Sequence, residues 1–196
     1  MIINPYIYNS GSSCAYPVQG LEIQIGTYST TVSTKPAYGL YNYSVSASLY
    51  TGTSIGAKQL TGVQIYFSGF TIPYTFLNQE IWIGQVSNST FPSSTPQVNF
   101  SDLTFITPLT KVKDSFTLNI TNNVWSSFTF DTPFCFDGTN HLLFVWKNYD
   151  GTWTSGYGTA QAANVVSKGM YKGNDPSYPT GTGTRDNFPL LIKFNY

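Results

Sequence analysis

Charge is what this sequence has least of. Asp, Glu, Lys and Arg make up 9% of its 196 residues, against roughly 25% in an ordinary soluble protein. Nine basic residues balance nine acidic ones, and the basic ones are scattered singly apart from Lys111 and Lys113. Nucleic-acid binders cluster Lys and Arg to neutralise phosphates, so this pattern argues against nucleic acid as a partner. It also offers no polybasic patch to an anionic membrane, and no apolar run approaches the roughly 20 residues of a membrane span. Membrane insertion is not expected.

Other shortages narrow the chemistry. There is one histidine, His141, and there are two glutamates, Glu22 and Glu80. A Cys-His hydrolase would need Cys135 activated by His141 and an orienting group; His141 instead reads as a structural residue at the start of a strand. Glycoside hydrolysis uses two carboxylates about 5 to 9.5 Å apart across a cleft. Glu22 and Glu80 instead read as solvated or edge residues of two separate strands. No catalytic residue and no cofactor is assigned. Asp137-Gly138-Thr139-Asn140 and Asp150-Gly151 look calcium-like at a glance, but lack the D-x-D-x-D-G spacing of a dedicated loop and suit hairpin turns. No metal site is assigned.

The two cysteines, Cys14 and Cys135, belong to no C-x-x-C motif, and read as two free, buried thiols in preference to a disulfide. The opening MIINPYIYNSGSS lacks a charged n-region and a continuous apolar h-region, so it is not read as a secretory signal. Asn42, Asn88, Asn99 and Asn119 begin N-x-S/T triplets, from which no glycosylation is concluded in a chain so rich in Ser and Thr.

What the chain has in abundance is Tyr and Phe, 15 and 14 residues respectively, with 41% hydrophobic residues overall. Short alternating segments separated by Gly, Pro and Asn turns, without a sustained helical period, predict an all-β protein. From Tyr41 to Tyr50, Tyr41, Tyr43, Val45, Ala47 and Leu49 alternate with small polar residues, which predicts a half-buried strand whose serines face water. Further strands are expected at Leu21–Ile25, Gln59–Phe67, Gln79–Val86, Val98–Ile106, Ser115–Ile120, Val124–Asp131, His141–Lys147 and Phe188–Tyr196. The apolar HLLFVWK segment belongs in the middle of a sheet. Ala162–Tyr171 reads as strand or short helix, and long loops are expected at Ser87–Gln97 and Lys172–Asn187. The expected architecture is a single antiparallel jelly-roll-like β-sandwich of about ten strands over 21–196, preceded by an N-terminal arm or edge strand over 1–20.

A resemblance adds to this reading. Pro36-Ala-Tyr-Gly-Leu-Tyr-Asn-Tyr-Ser, Leu60-Thr-Gly-Val-Gln-Ile-Tyr-Phe, Ile81-Trp-Ile-Gly, Phe130-Asp-Thr-Pro-Phe, Phe136-Asp-Gly-Thr-Asn-His-Leu-Leu and the closing Arg185-Asp-Asn-Phe-Pro-Leu-Leu-Ile-Lys-Phe together resemble the cleaved-adhesin, or gingipain haemagglutinin-type, β-sandwich domain of Bacteroidota surface proteins. The resemblance implies an adhesion or accessory module, in a family of which some members bind structural calcium. A lone domain of this type suits a phage virion protein, in a head or tail, whose partners are other virion proteins or copies of itself. Localisation is accordingly expected on a virion, or alternatively extracellular on a bacterial surface. Binding of host cell-surface glycan is the alternative function. Its candidate contacts are Tyr149, Trp153 and Tyr157, with Asn148 and Asp150 nearby, because sugars stack on aromatic rings carried by loops.

Overall fold

In the computed structural model, residues 14–16, 18–28, 32–68, 74–155, 159–160, 165 and 167–196 are described; the expected arm over Met1–Ser13 lies outside them. The first half of the chain forms β1 (Glu22–Ile25), β2 (Val32–Ser33), β3 (Tyr43–Tyr50), one helical turn α1 (Gly52–Ile55), β4 (Lys58–Phe67) and β5 (Thr75–Val86). The second half forms β6 (Phe105–Asn119), β7 (Val124–Phe136), β8 (His141–Asn148), β9 (Thr159–Ala160), β10 (Gly169–Asn174), β11 (Thr184–Asp186) and β12 (Ile192–Asn195). Ten of these strands exceed two residues, and they build a single antiparallel β-sandwich. In the first sheet β4 carries β12 and then β1 on one edge and β7 on the other, while the short β9 pairs with the end of β4 at Phe67 and carries β2. The second sheet has the order β11-β10-β3-β8-β5-β6.

Apolar residues of alternating positions meet between the sheets. Leu60, Val63, Ile65 and Phe67 of β4 and Phe128 of β7 pack toward Ile81 and Ile83 of β5 and Phe144 and Trp146 of β8. Phe116, Phe128 and Trp146 form a ring triangle with centroids 5.2 to 5.3 Å apart. Each such buried side chain contributes roughly 1.5–3 kcal/mol. The expected central place of HLLFVWK is observed: β8 lies between β3 and β5, with Leu142 through Trp146 buried.

The second sheet is buried on both faces, which alters the reading of β3. Val45, Ala47 and Leu49 face outward, yet with Leu143, Val145 and Met170 they form a second apolar cluster, roofed by Phe91, Val98, Phe100 and Leu103 from the 87–104 segment. The serines on the opposite face, expected in water, are buried as well: Ser44, Ser46 and Ser48 are at most 1% exposed. Their hydroxyls hold passing backbone. Ser44 Oγ accepts from Tyr38 N–H at 3.0 Å, Ser46 Oγ donates to Pro36 O at 2.7 Å, and Ser48 Oγ accepts from Leu190 N–H at 3.1 Å. Small hydroxyl side chains let main chain approach closely and satisfy its polar groups.

Three expected strand boundaries also move. Val98–Ile106 is not a strand: Phe100 sits at φ 61° inside turns, and its apolar residues plug the second cluster. β6 instead runs unbroken from Phe105 to Asn119 through Pro108, which an edge strand tolerates. β7 continues through Pro133 to Phe136: Phe134, Cys135 and Phe136 pair with Leu60, Gln59 and Lys58, and the register shift between Leu60 and Gly62 leaves Phe130 to Pro133 without ladder partners, where a proline is tolerated.

The cysteines are joined, in correction of the free-thiol reading. Cys14 and Cys135 form a disulfide with Cα atoms 5.3 Å apart. Cys135 is exposed, because Phe134 and Phe136 take the inward positions of β7. The bond ties the segment before β1 to the outer face of the first sheet. On the other side of the molecule Lys35, 1% exposed, is paired with Asp186, its Nζ 2.7 and 2.8 Å from the two carboxylate oxygens. Burial pushes the Lys35 ammonium below the ordinary lysine range, and the Asp186 charge opposes that shift. A Cβ on Gly169 would overlap both charged groups, so glycine is what lets β10 pass the ion pair.

Candidate functional site: an aromatic ledge and two grooves on the second sheet

Of the three residues singled out as ligand contacts, Tyr149 and Trp153 are described, and their rings make no contact with each other. Tyr149 follows β8 and stacks on Tyr178, with ring centroids 4.6 Å apart and planes 22° from parallel. Trp153 is 61% exposed, and among the described residues no ring packs on it. Tyr157 lies outside the described residues. The polar neighbours serve the fold: Asn148 Oδ1 accepts from Gln79 Nε2, whose Oε1 accepts from Trp146 Nε1 at 2.7 Å. Asp150 accepts from Leu77 N–H at 2.7 Å and from the Tyr74 and Thr152 hydroxyls, each at 2.8 Å.

Tyr149 instead belongs to a ledge on the outer face of the second sheet. β8 and β5 place Lys147 opposite Glu80 and Val145 opposite Trp82, so Lys147, Glu80 and Trp82 share that face. Lys147 Nζ lies 3.9 Å from the Trp82 ring centroid and 5.8 Å from that of Tyr178. Trp82 Nε1 donates to Glu80 Oε2 at 2.8 Å, and Lys111 pairs with Glu80 at 3.2 Å and with Asp114 at 2.7 Å. Burial holds the Lys147 ammonium below its ordinary range, with Glu80 opposing and Lys111 adding to the shift. Burial, followed by the Tyr149 and Glu80 charges, raises the Tyr178 phenol.

Beside the ledge a groove of about 400 Å³ is lined by Val98, Phe100, Leu109, Lys147, Tyr178 and the turn at Pro179–Gly181. The turn that carries Phe100 is held by Leu103 N–H to Phe100 O and Ser101 N–H to Asn99 Oδ1, both at 3.1 Å. The Tyr178 hydroxyl is buried without a hydrogen-bond partner among the described residues. A cation held over an indole, stacked phenols and an unmet hydroxyl suit an amphipathic ligand with polar groups at one end. The contacts of Lys147 with Trp82 and Tyr178, 65 and 31 residues away along the chain, are invisible in local sequence; the tyrosine beside Pro179 in an expected long loop was the only cue.

A second groove, of about 470 Å³, lies at the β10–β11 edge of the same sheet. Its lining includes Tyr38, Tyr41 and Tyr171.

The remaining chemistry-bearing residues have structural partners. Glu22 projects from the first sheet, its carboxyl held below the ordinary range by Lys193, 2.6 Å away. Glu80 projects from the outer face of the second sheet, so the two glutamates lie on opposite faces of the sandwich and cannot flank one bond. Asp137 closes its turn by accepting from Thr139 N–H at 2.8 Å and from Asn140 N–H and Nδ2 at 3.0 and 2.7 Å. Among the described residues no three His, Cys, Asp or Glu side chains gather to hold a metal, and no helix is long and apolar enough to cross a membrane.

Fold and grooves define a β-sandwich that presents ligand-sized clefts on loops over a rigid sheet. No family model, curated protein or solved structure matches the chain.

Proposed function

We propose that the chain is a non-enzymatic structural and adhesion protein displayed on a particle surface, as a phage head or tail component, or alternatively on a bacterial surface. The observation that carries this reading is the loop-roofed outer face of the second sheet, where the Tyr149–Tyr178 stack and Lys147 border a groove of about 400 Å³. Binding surfaces concentrate on loops held by a rigid scaffold. The Cys14–Cys135 disulfide supports display outside a reducing cytoplasm. Cys135, bound in that disulfide, is not a nucleophile. The resemblance to the cleaved-adhesin sandwich points the same way. Partners on this reading are other virion proteins, further copies of the chain, or surface glycan.

Quantitative mass spectrometry of purified particles tests it. A fixed copy number per particle is the expected result, and absence from the particles overturns the display reading. A second reading, a carbohydrate-binding module, is favoured by the stacked phenols beside the groove. Under it the isolated protein binds a glycan array through this ledge, and loses that binding on Tyr178→Ala.

A further inference from the structure

The segment from Pro36 to Tyr50 looks from its sequence like sheet-packing tyrosine, but the fold gives part of it another neighbourhood. Tyr171 of β10 stands opposite Ser46 of β3 and Thr184 of β11, on the face that Ser46 shares. Tyr38, fixed by its N–H bond to Ser44 Oγ at 3.0 Å, brings the preceding segment across that same face. Its ring meets Tyr41 at 4.9 Å and Tyr171 at 5.5 Å, both edge-on, at 77° and 75°. Edge-to-face contacts of this kind fix ring orientation. Gly173 completes the arrangement. A Cβ there would overlap the Tyr41 ring, so the glycine lets that ring lie against the backbone of β10.

The same groove, of about 470 Å³, is also lined by Thr95, Thr182 and Thr184, the last beside Tyr171 in the β10–β11 ladder. All three are exposed, and among the described residues their hydroxyls have no protein partner, nor do the Tyr41 and Tyr171 phenols. The wall that carries them is tied down: Gly183 N–H donates to Pro96 O at 2.7 Å, and Gln97 bridges Thr182. Among the described residues the one cation lining the groove is Lys172, which donates to Thr180 O at 3.0 Å and Thr182 O at 2.8 Å, so it braces the wall. Among the described residues no carboxylate lines the groove.

We propose that this groove is a saccharide-binding site for a neutral glycan of one or two pyranose units, distinct from the Tyr149–Tyr178 ledge. A pyranose has an apolar face that lies on an aromatic ring and a rim of hydroxyls. The tyrosines supply the first complement and five unengaged hydroxyls the second. A ligand carrying phosphate or carboxylate would find one cation, already bonded to two carbonyls. The volume falls in the range of small-ligand pockets, roughly 300–1,000 Å³. The assignment stands whether or not the chain is displayed on a particle.

The test begins with the intact chain on a glycan array, followed by calorimetry with the best neutral oligosaccharide at low and high salt. Neutral glycans are expected to bind, with affinity unchanged by salt because no charge pair is involved. Tyr171→Ala weakens binding by about tenfold, the worth of one aromatic stacking contact. Thr184→Val, at an exposed position that leaves the rings alone, weakens it by about fivefold, the worth of one hydrogen bond, with no change in melting temperature. Tyr178→Ala on the ledge leaves it intact. Four results overturn the proposal: no glycan bound on the array, binding confined to acidic glycans and lost in salt, affinity that survives both groove variants, or affinity that is lost with Tyr178→Ala.

Discussion

The disulfide offers the sharpest quantitative test of how this fold is held. Cys14 and Cys135 are 121 residues apart in sequence, so the bond closes a loop over more than half of the chain. In the chain-entropy model a loop of that length removes about 16 cal/mol/K from the unfolded ensemble, or about 5 kcal/mol at 25 °C. Cys135 is exposed and Cys14 partly so, so serine at both positions opens no core cavity and the change reports the cross-link itself. The Cys14→Ser/Cys135→Ser variant is therefore expected to lose about 2–5 kcal/mol in guanidinium unfolding at equilibrium. Its denaturant slope rises as well, since an uncross-linked denatured chain exposes more surface. With about 2.1 cal/mol/K of unfolding entropy per residue, the full loss lowers the melting temperature by about 12 °C. Two reactive thiols in the native, unreduced protein would refute the pairing. A stability difference below about 1 kcal/mol would refute the loop-closure account while leaving the bond in place.

Three further perturbations probe buried polar groups. Asp186→Asn removes the carboxylate that compensates the buried Lys35 ammonium and is expected to cost about 3–5 kcal/mol, whereas Lys35→Met with Asp186→Leu costs far less; urea midpoints of the three chains distinguish these. His141 has its imidazole pKa lowered from 6.5, first by burial and then by Lys168, with the Tyr50 backbone opposing. The unfolded chain therefore binds more protons just below pH 6.5, so stability is full above that pH and falls as pH drops toward the folded value. His141→Gln flattens that limb of the midpoint-versus-pH curve. Ser46→Ala leaves the buried Pro36 carbonyl without its donor and costs about 1–3 kcal/mol, while Ser127→Ala on the exposed face of β7 changes stability by less than about 0.5 kcal/mol.

Those serines show where reading the chain stops being sufficient. Alternation identified β3 because period two is a property of the local backbone, and it separated Val45, Ala47 and Leu49 from Ser44, Ser46 and Ser48 correctly. What alternation does not carry is which face meets water. That depends on the 87–104 segment roofing one side and on Pro36, Tyr38 and Leu190 reaching the serine hydroxyls on the other. In a chain with so few charges, polar does not mean solvated. A serine is as well satisfied by a carbonyl from a passing strand as by a water molecule.

The same limit governs the site. Tyr149 was visible as an aromatic in a loop, but its stacking partner, Tyr178, lies 29 residues on, in a segment read only as loop. The tyrosine groove depends on β10 pairing with β3, which brings Tyr171 to Tyr38 from the far end of the chain. One local cue did exist. Gly169, Gly173 and Gly183 fall where a side chain would strike Asp186, Tyr41 or Met170, and glycine within strand-like sequence marks close approach of other groups. Read that way, the glycines around β10 and β11 point to the crowded edge where the ion pair and the tyrosine cluster meet, and it is there, more than at the exposed Trp153, that the fold has prearranged aromatic rings beside unengaged hydroxyls.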